Sequence, residues 1–222
     1  MGGMVMEQNL LTADHKRILA AIANSRYLTD RFYFTGGTAL SVYYLHHRYS
    51  EDLDLFTESP YNPRSLEGEA KRVFGTLKPS SVELETLHGQ HIYFISIGSE
   101  RIKVDFAYYP FEHLGEFIHL GRLGVASLLD ITVNKVHAIT TRKRGRDFLD
   151  LYLSIKKQGI QSEELLDQYR LKFDVVITKE ELAKHYVGVV DALDQPKYLG
   201  TTPWREIEDF FIAQAKMLSV LS

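Results

Sequence analysis

Asp52 and Asp54 flank Leu53 in the stretch "EDLDLF", and an extended backbone would send both carboxylates to one face while Leu53 and Leu55 turn to the other. The later stretch "IKVDFA" alternates in the same way and puts Asp105 opposite Val104 and Phe106. Three acids on neighbouring strands raise one another's pKa unless a cation lies among them, and an all-oxygen donor set suits Mg2+. Upstream, Gly36 and Gly37 allow a tight turn and close approach of a ligand, and Thr38 begins a helix whose first N–H groups face outward. That is a seat for triphosphate oxygens. Phosphates held there would share metal with Asp52 and Asp54. Asp105 would complete a second metal position and help deprotonate an attacking hydroxyl. The chemistry implied is phosphoryl or nucleotidyl transfer from a nucleoside triphosphate, which works mainly by positioning and charge stabilisation. Each part has a plainer reading: an Asp-x-Asp on a solvated strand edge, and a glycine pair serving a turn. Their ordered combination favours the chemistry.

Further candidates lie on either side. Arg48 follows the first helix and precedes the acids, where a guanidinium could meet phosphate or Asp52. Lys135 falls within the apolar arc of a helix expected over 125–144, and its ammonium either snorkels to water or reaches nucleotide phosphate. Asp147 borders the apolar face of the next helix; the alternative is a first-turn acid that complements the helix dipole. The run Arg142, Lys143, Arg144 and Arg146 is read as solvated cations at a helix end or as a contact for a nucleic-acid backbone. His46, His47, His88 and His91 lack metal-site spacing and are expected at the surface. Serine-hydrolase, P-loop and kinase signatures are missing.

These residues need elements to carry them. A helix capped by Thr12 runs to about Asn24, "RFYFTGG" is a strand ending in a turn, 38–48 is a short helix and "DLDLFT" a second strand. Pro63 opens another helix, and "SVELETL", "HIYFISIG" and "RIKVDFAYY" are three further strands, the last two joined by a tight "GSE" hairpin. From Val125 onward the period is helical: 125–144, 146–157, "SEELLDQYRLKF", a capping box of Thr178 with Glu181, and a last helix with Pro203 in its first turn. The expected class is α+β, a mixed-sheet head with a mainly helical C-terminal half. We expect an α/β core over 1–118 and a helical region over 119–222 that completes the nucleotide cleft, with the boundary within 112–124. With 222 residues, 45% of them hydrophobic, the chain can bury one good core. A formal net charge of -3 does not announce a nucleic-acid or membrane binder, so such contacts would need a local patch. Cysteine is absent, which removes disulfide and thiolate chemistry. The start "MGGMVMEQNL" lacks the pattern of a secretory signal and no long apolar run follows, so a cytoplasmic protein with no membrane contact is expected.

The ordered set "GGTAL", "HRYSEDLDLF", "KVDF" and "NKVHAITTRKRGRDFLDLY" resembles the nucleotidyltransferase-fold toxins of the AbiEii/AbiGii type, over roughly residues 32–155. The resemblance implies a polymerase-β-like core. Carried over, Gly36, Gly37 and Thr38 would hold phosphates, Asp52 and Asp54 the metal, Asp105 would be the third acid, and Lys135 with Asp147 the later motif. It also implies a bacterial toxin–antitoxin or phage-defence pair, a cognate antitoxin, and tRNA or another RNA as one acceptor. Two alternatives stay open: a small-molecule nucleotidyltransferase, and a non-catalytic nucleotide-binding or interaction module of the same fold.

Overall fold

The computed structural model describes residues 10–220 apart from 193, 195 and 197, so most of the N-terminal stretch read for a secretory signal lies outside the described residues. Chain contacts divide it into two units: Met1–Pro110 with His119–Val125, and Phe111–Ile118 with Ala126–Ser222.

The first unit is a seven-stranded sheet with helices. In chain order its elements are α1 (Ala13–Ala23), α2 (Arg26–Thr29), β1 (Tyr33–Thr35), α3 (Gly36–Leu40), β2 (Leu53–Thr57), α4 (Pro63–Gly75), β3 (Ser81–Leu87), β4 (Gln90–Ile97), β5 (Glu100–Tyr108), β6 (Ile118–Leu120) and β7 (Leu123–Val125). The strand order is β3-β4-β5-β2-β1-β7-β6. β3, β4 and β5 form antiparallel hairpins, β5 runs parallel to β2, β2 antiparallel to β1, and β1 parallel to β7. The sheet is therefore mixed, as the alternating runs implied. Its helix-covered face buries Leu53, Leu55, Val104 and Phe106, the expected inward half of each alternation, and Phe32 meets Phe106 edge to face. Thr12 caps α1 by accepting from the His15 N–H, and Asn62 caps α4 ahead of Pro63.

The second unit is helical: α5 (Leu128–Thr141), α6 (Gly145–Gln158), α7 (Ser162–Phe173), α8 (Lys179–Val187) and α9 (Trp204–Val220). The capping box forms at Thr178 and Glu181 as expected. Its interior holds an ion pair: Asp130 accepts from Lys172 at 2.7 Å and from the Leu114 and Gly115 backbone N–H groups at 2.8 and 3.1 Å.

Several expectations need correction. The helix expected from 125 begins at Leu128, because Ser127 caps it and Leu123–Val125 is a buried strand beside β1. Such a short apolar run has no period that separates strand from helix. The helix expected over 38–48 spans 36–45, ending in a π turn at Ser41–Leu45 with His46 left-handed at φ 51°. Pro203 lies just before α9, where its carbonyl accepts from the Glu206 N–H at 2.9 Å. His47 and His91 are buried, not surface residues. His91 is held by Tyr61, whose hydroxyl lies 2.9 Å from its Nδ1.

Candidate active site

Pairing register, which no local pattern reveals, builds the first cluster. Thr35 on β1 is opposite Asp54 on β2, and Asp54 is opposite Asp105 on β5. Opposed residues share a face, so Thr35, Asp54 and Asp105 form one row across three strands. Asp52 sits at the end of the loop entering β2.

The glycine turn abuts this row. Gly36 has φ +78°, and a Cβ there would lie 2.0 Å from Asp54 Oδ2, so only glycine lets the carboxylate settle against the turn. A Cβ on Gly37 would lie 2.2 Å from the Arg48 Nη2. Arg48 is buried and donates to the Tyr49 carbonyl at 3.1 Å. The Thr38 hydroxyl donates to the Asp52 carbonyl at 2.5 Å and lies 2.8 Å from Ser50 Oγ. Its side chain is thus a tether for the loop that presents Asp52.

Asp105 is buried, and its Oδ1 has no hydrogen-bond partner. Thr35 Oγ1, in the same row, is also buried and unpartnered. Burial raises the Asp105 carboxyl above the usual range, Lys103 opposes this and Asp52 adds to it. Lys103 is a residue the sequence reading missed. Its Nζ lies 3.9 Å from Asp52 Oδ2 and 3.7 Å from Asp105 Oδ2. The signal was available, since Lys103 and Asp105 are two apart on one strand and share a face.

Among the described residues, no three acidic or imidazole side chains are drawn together tightly enough to grip a metal ion as they stand. The chemistry of the donors nevertheless fits a hard divalent cation: oxygen ligands only, with a buried carboxylate oxygen left unpartnered.

A second cluster lies within the helical unit. Lys135 Nζ is 2.7 Å from both Asp147 Oδ1 and Asp150 Oδ2, and the two aspartates are completely buried. Arg142 Nε donates to Asp147 Oδ2 at 2.8 Å. Burial alone would raise the Asp147 carboxyl, but Lys135 and Arg142 outweigh it and hold it below the usual carboxylate range. Lys135 therefore does not snorkel, and Asp147 does more than complement a helix dipole. Asp150 went unnoticed although it follows Asp147 at i+3, on the same helix face. Of the basic run, Arg142 joins this cluster, Lys143 pairs with Asp191 and Arg144 is exposed.

A mixed sheet carrying this glycine turn and row of acids has the fold of a nucleotidyltransferase. The chain matches the family described as "Nucleotidyl transferase AbiEii toxin, Type IV TA system" over residues 17–211, and it belongs to that family of nucleotidyltransferase toxins. It is 29% identical over 192 residues to the uncharacterized protein aq_aa25 of Aquifex aeolicus (strain VF5), covering 85% of this chain and 88% of the relative. In structure it is similar to JHP933 from Helicobacter pylori, with a TM-score of 0.61, 18% identity and coverage of 97% and 93% of the two chains. It is also similar to MenT4, a nucleotidyltransferase toxin from Mycobacterium tuberculosis H37Rv, with a TM-score of 0.52, 17% identity and coverage of 94% and 83%. Among the described residues no helix is long and apolar enough to cross a membrane.

Proposed function

We propose that this nucleotidyltransferase is Mg2+-dependent and transfers a nucleotide from a nucleoside triphosphate to a hydroxyl of RNA, with tRNA as the acceptor class. We further propose that it acts in the cytoplasm and that a cognate antitoxin counters it. The observation that carries the reading is the register of Asp54 with Asp105, with Asp105 Oδ1 buried and unpartnered beside the glycine turn. Asp52, Asp54 and Asp105 would hold the cation, which when bound supplies neutralisation of carboxylate and phosphate charge.

The rest falls to the chain itself. The backbone N–H groups of Gly37 and Thr38 receive phosphate oxygens, since the Thr38 side chain is already engaged with Asp52 and Ser50. Arg48 adds fixed positive charge behind the turn. Asp105 also takes the proton from the attacking hydroxyl. Lys135, with Asp147 and Asp150, makes up the later motif, and its charge goes to balancing those buried aspartates. Exposed Arg144 and half-exposed Arg146 support an RNA backbone as the larger partner.

The test is incubation of the wild type and Asp54→Ala with each of four α-labelled triphosphates, Mg2+ and total bacterial RNA. Label in RNA from the wild type alone, with unchanged circular dichroism in the variant, is the expected result. Equal labelling by Asp54→Ala would refute the assignment, and label confined to a small acceptor would refute the RNA class.

A further inference from the structure

Lys103 belongs to neither the glycine turn nor the row of acids, yet its ammonium lies between two of the carboxylates assigned to the cation. The distances, 3.9 Å to Asp52 and 3.7 Å to Asp105, are those of a loose bridge and not of tight hydrogen bonds. It engages only one oxygen of Asp105, leaving Oδ1 bare. The Lys103 side chain is 30% exposed and Asp52 42%, so the ammonium has an open route away from the acids. A flexible four-carbon stem suits such a movable point charge, whereas a planar guanidinium would fix both carboxylates in place.

We infer that Lys103 is a built-in counter-ion of the carboxylate site, which holds Asp52 and Asp105 together in the cation-free protein and competes with the divalent cation for them. The inference rests on the reading of Asp52, Asp54 and Asp105 as cation ligands. Lys103 is a positioning residue: it sets how readily the cation enters, and it keeps the repelling acids folded until then. A cation reaching the acids must first displace an ion pair of about 4 Å length, and pairs at that distance near a protein surface are strong enough for the exchange to weaken binding by roughly tenfold or more.

The experiment titrates the full chain with Mn2+, without nucleotide, and reads free Mn2+ by electron paramagnetic resonance for the wild type, Lys103→Met, Lys103→Gln and Lys103→Arg. Circular dichroism checks folding, and the glutamine variant serves if the methionine one does not fold. The neutral variants are expected to bind Mn2+ about tenfold tighter than the wild type, and Lys103→Arg to show no such gain. In EDTA the neutral variants melt below the wild type, and saturating Mn2+ raises their Tm by more. Saturable binding of equal or lower affinity in the neutral variants overturns the role of Lys103 alone. Absence of saturable binding in the wild type and in both neutral variants overturns the cation reading and this inference with it.

Discussion

Gly36→Ala separates what the glycine turn does for folding from what it does for the acids. At φ +78° an alanine is strained by roughly 1–2 kcal/mol, which in a chain of this size lowers Tm by about 2–8 °C. The new Cβ would lie 2.0 Å from Asp54 Oδ2, where real contacts do not fall below 3.0 Å, so the carboxylate must withdraw by about 1 Å. A displacement of that size at a reacting centre costs on the order of 100-fold in rate. Gly98→Ala is the matched control: φ is +58° in the hairpin between β4 and β5, with open space around the Cβ position. Both variants should lose similar stability by thermal melting, and only Gly36→Ala should lose nucleotide incorporation. If Gly36→Ala keeps wild-type incorporation, or Gly98→Ala loses as much, the close approach of Asp54 to the turn is not what activity requires.

Two substitutions, one of them followed with pH, probe the remaining contacts. Lys135→Met leaves Asp147 and Asp150 buried with only Arg142 and their remaining hydrogen bonds, and should cost about 3–5 kcal/mol by urea unfolding at pH 7. The pH dependence follows from the lowered Asp147 pKa: its stabilisation is complete above the unfolded carboxylate pKa of about 3.9 and is lost as pH falls through the lower folded value. Without Lys135 the folded pKa rises, so the deficit of Lys135→Met should shrink from pH 7 to pH 5; a deficit that stays constant counts against the ion pair. Thr38→Val keeps the shape but strands the Asp52 carbonyl, and should cost about 1–3 kcal/mol. Unchanged stability with lost phosphate binding would show instead that the hydroxyl meets the ligand and not the loop.

The alternating runs from Ser81 to Tyr108 and the caps at Thr12 and Thr178 were readable because each depends on residues a few positions apart. β6, β7 and α2 were not, since three or four residues carry no measurable period. The site divides along the same line. That Asp52 and Asp54 face one way is local, but that Asp54 stands opposite Asp105 depends on β2 pairing in parallel with β5 across a separation of about fifty residues.

Lys103 and Asp150 were missed for another reason. Their spacings of two and three from Asp105 and Asp147 are visible in the sequence, but the contacts that give them meaning, Lys103 with Asp52 and Asp150 with Lys135, join residues far apart in the chain. The structure shows two different solutions to buried negative charge. In the helical unit Lys135 and Arg142 balance Asp147 and Asp150 through short bonds, which leaves that cluster neutral as it stands. On the sheet, Lys103 faces Asp52 and Asp105 at longer range, and Asp105 Oδ1 has no partner. Buried charge left incompletely paired is costly unless a further positive group completes it. The proposed cation site therefore rests on the sheet cluster, where that shortfall lies, and not on the tightly paired helical one.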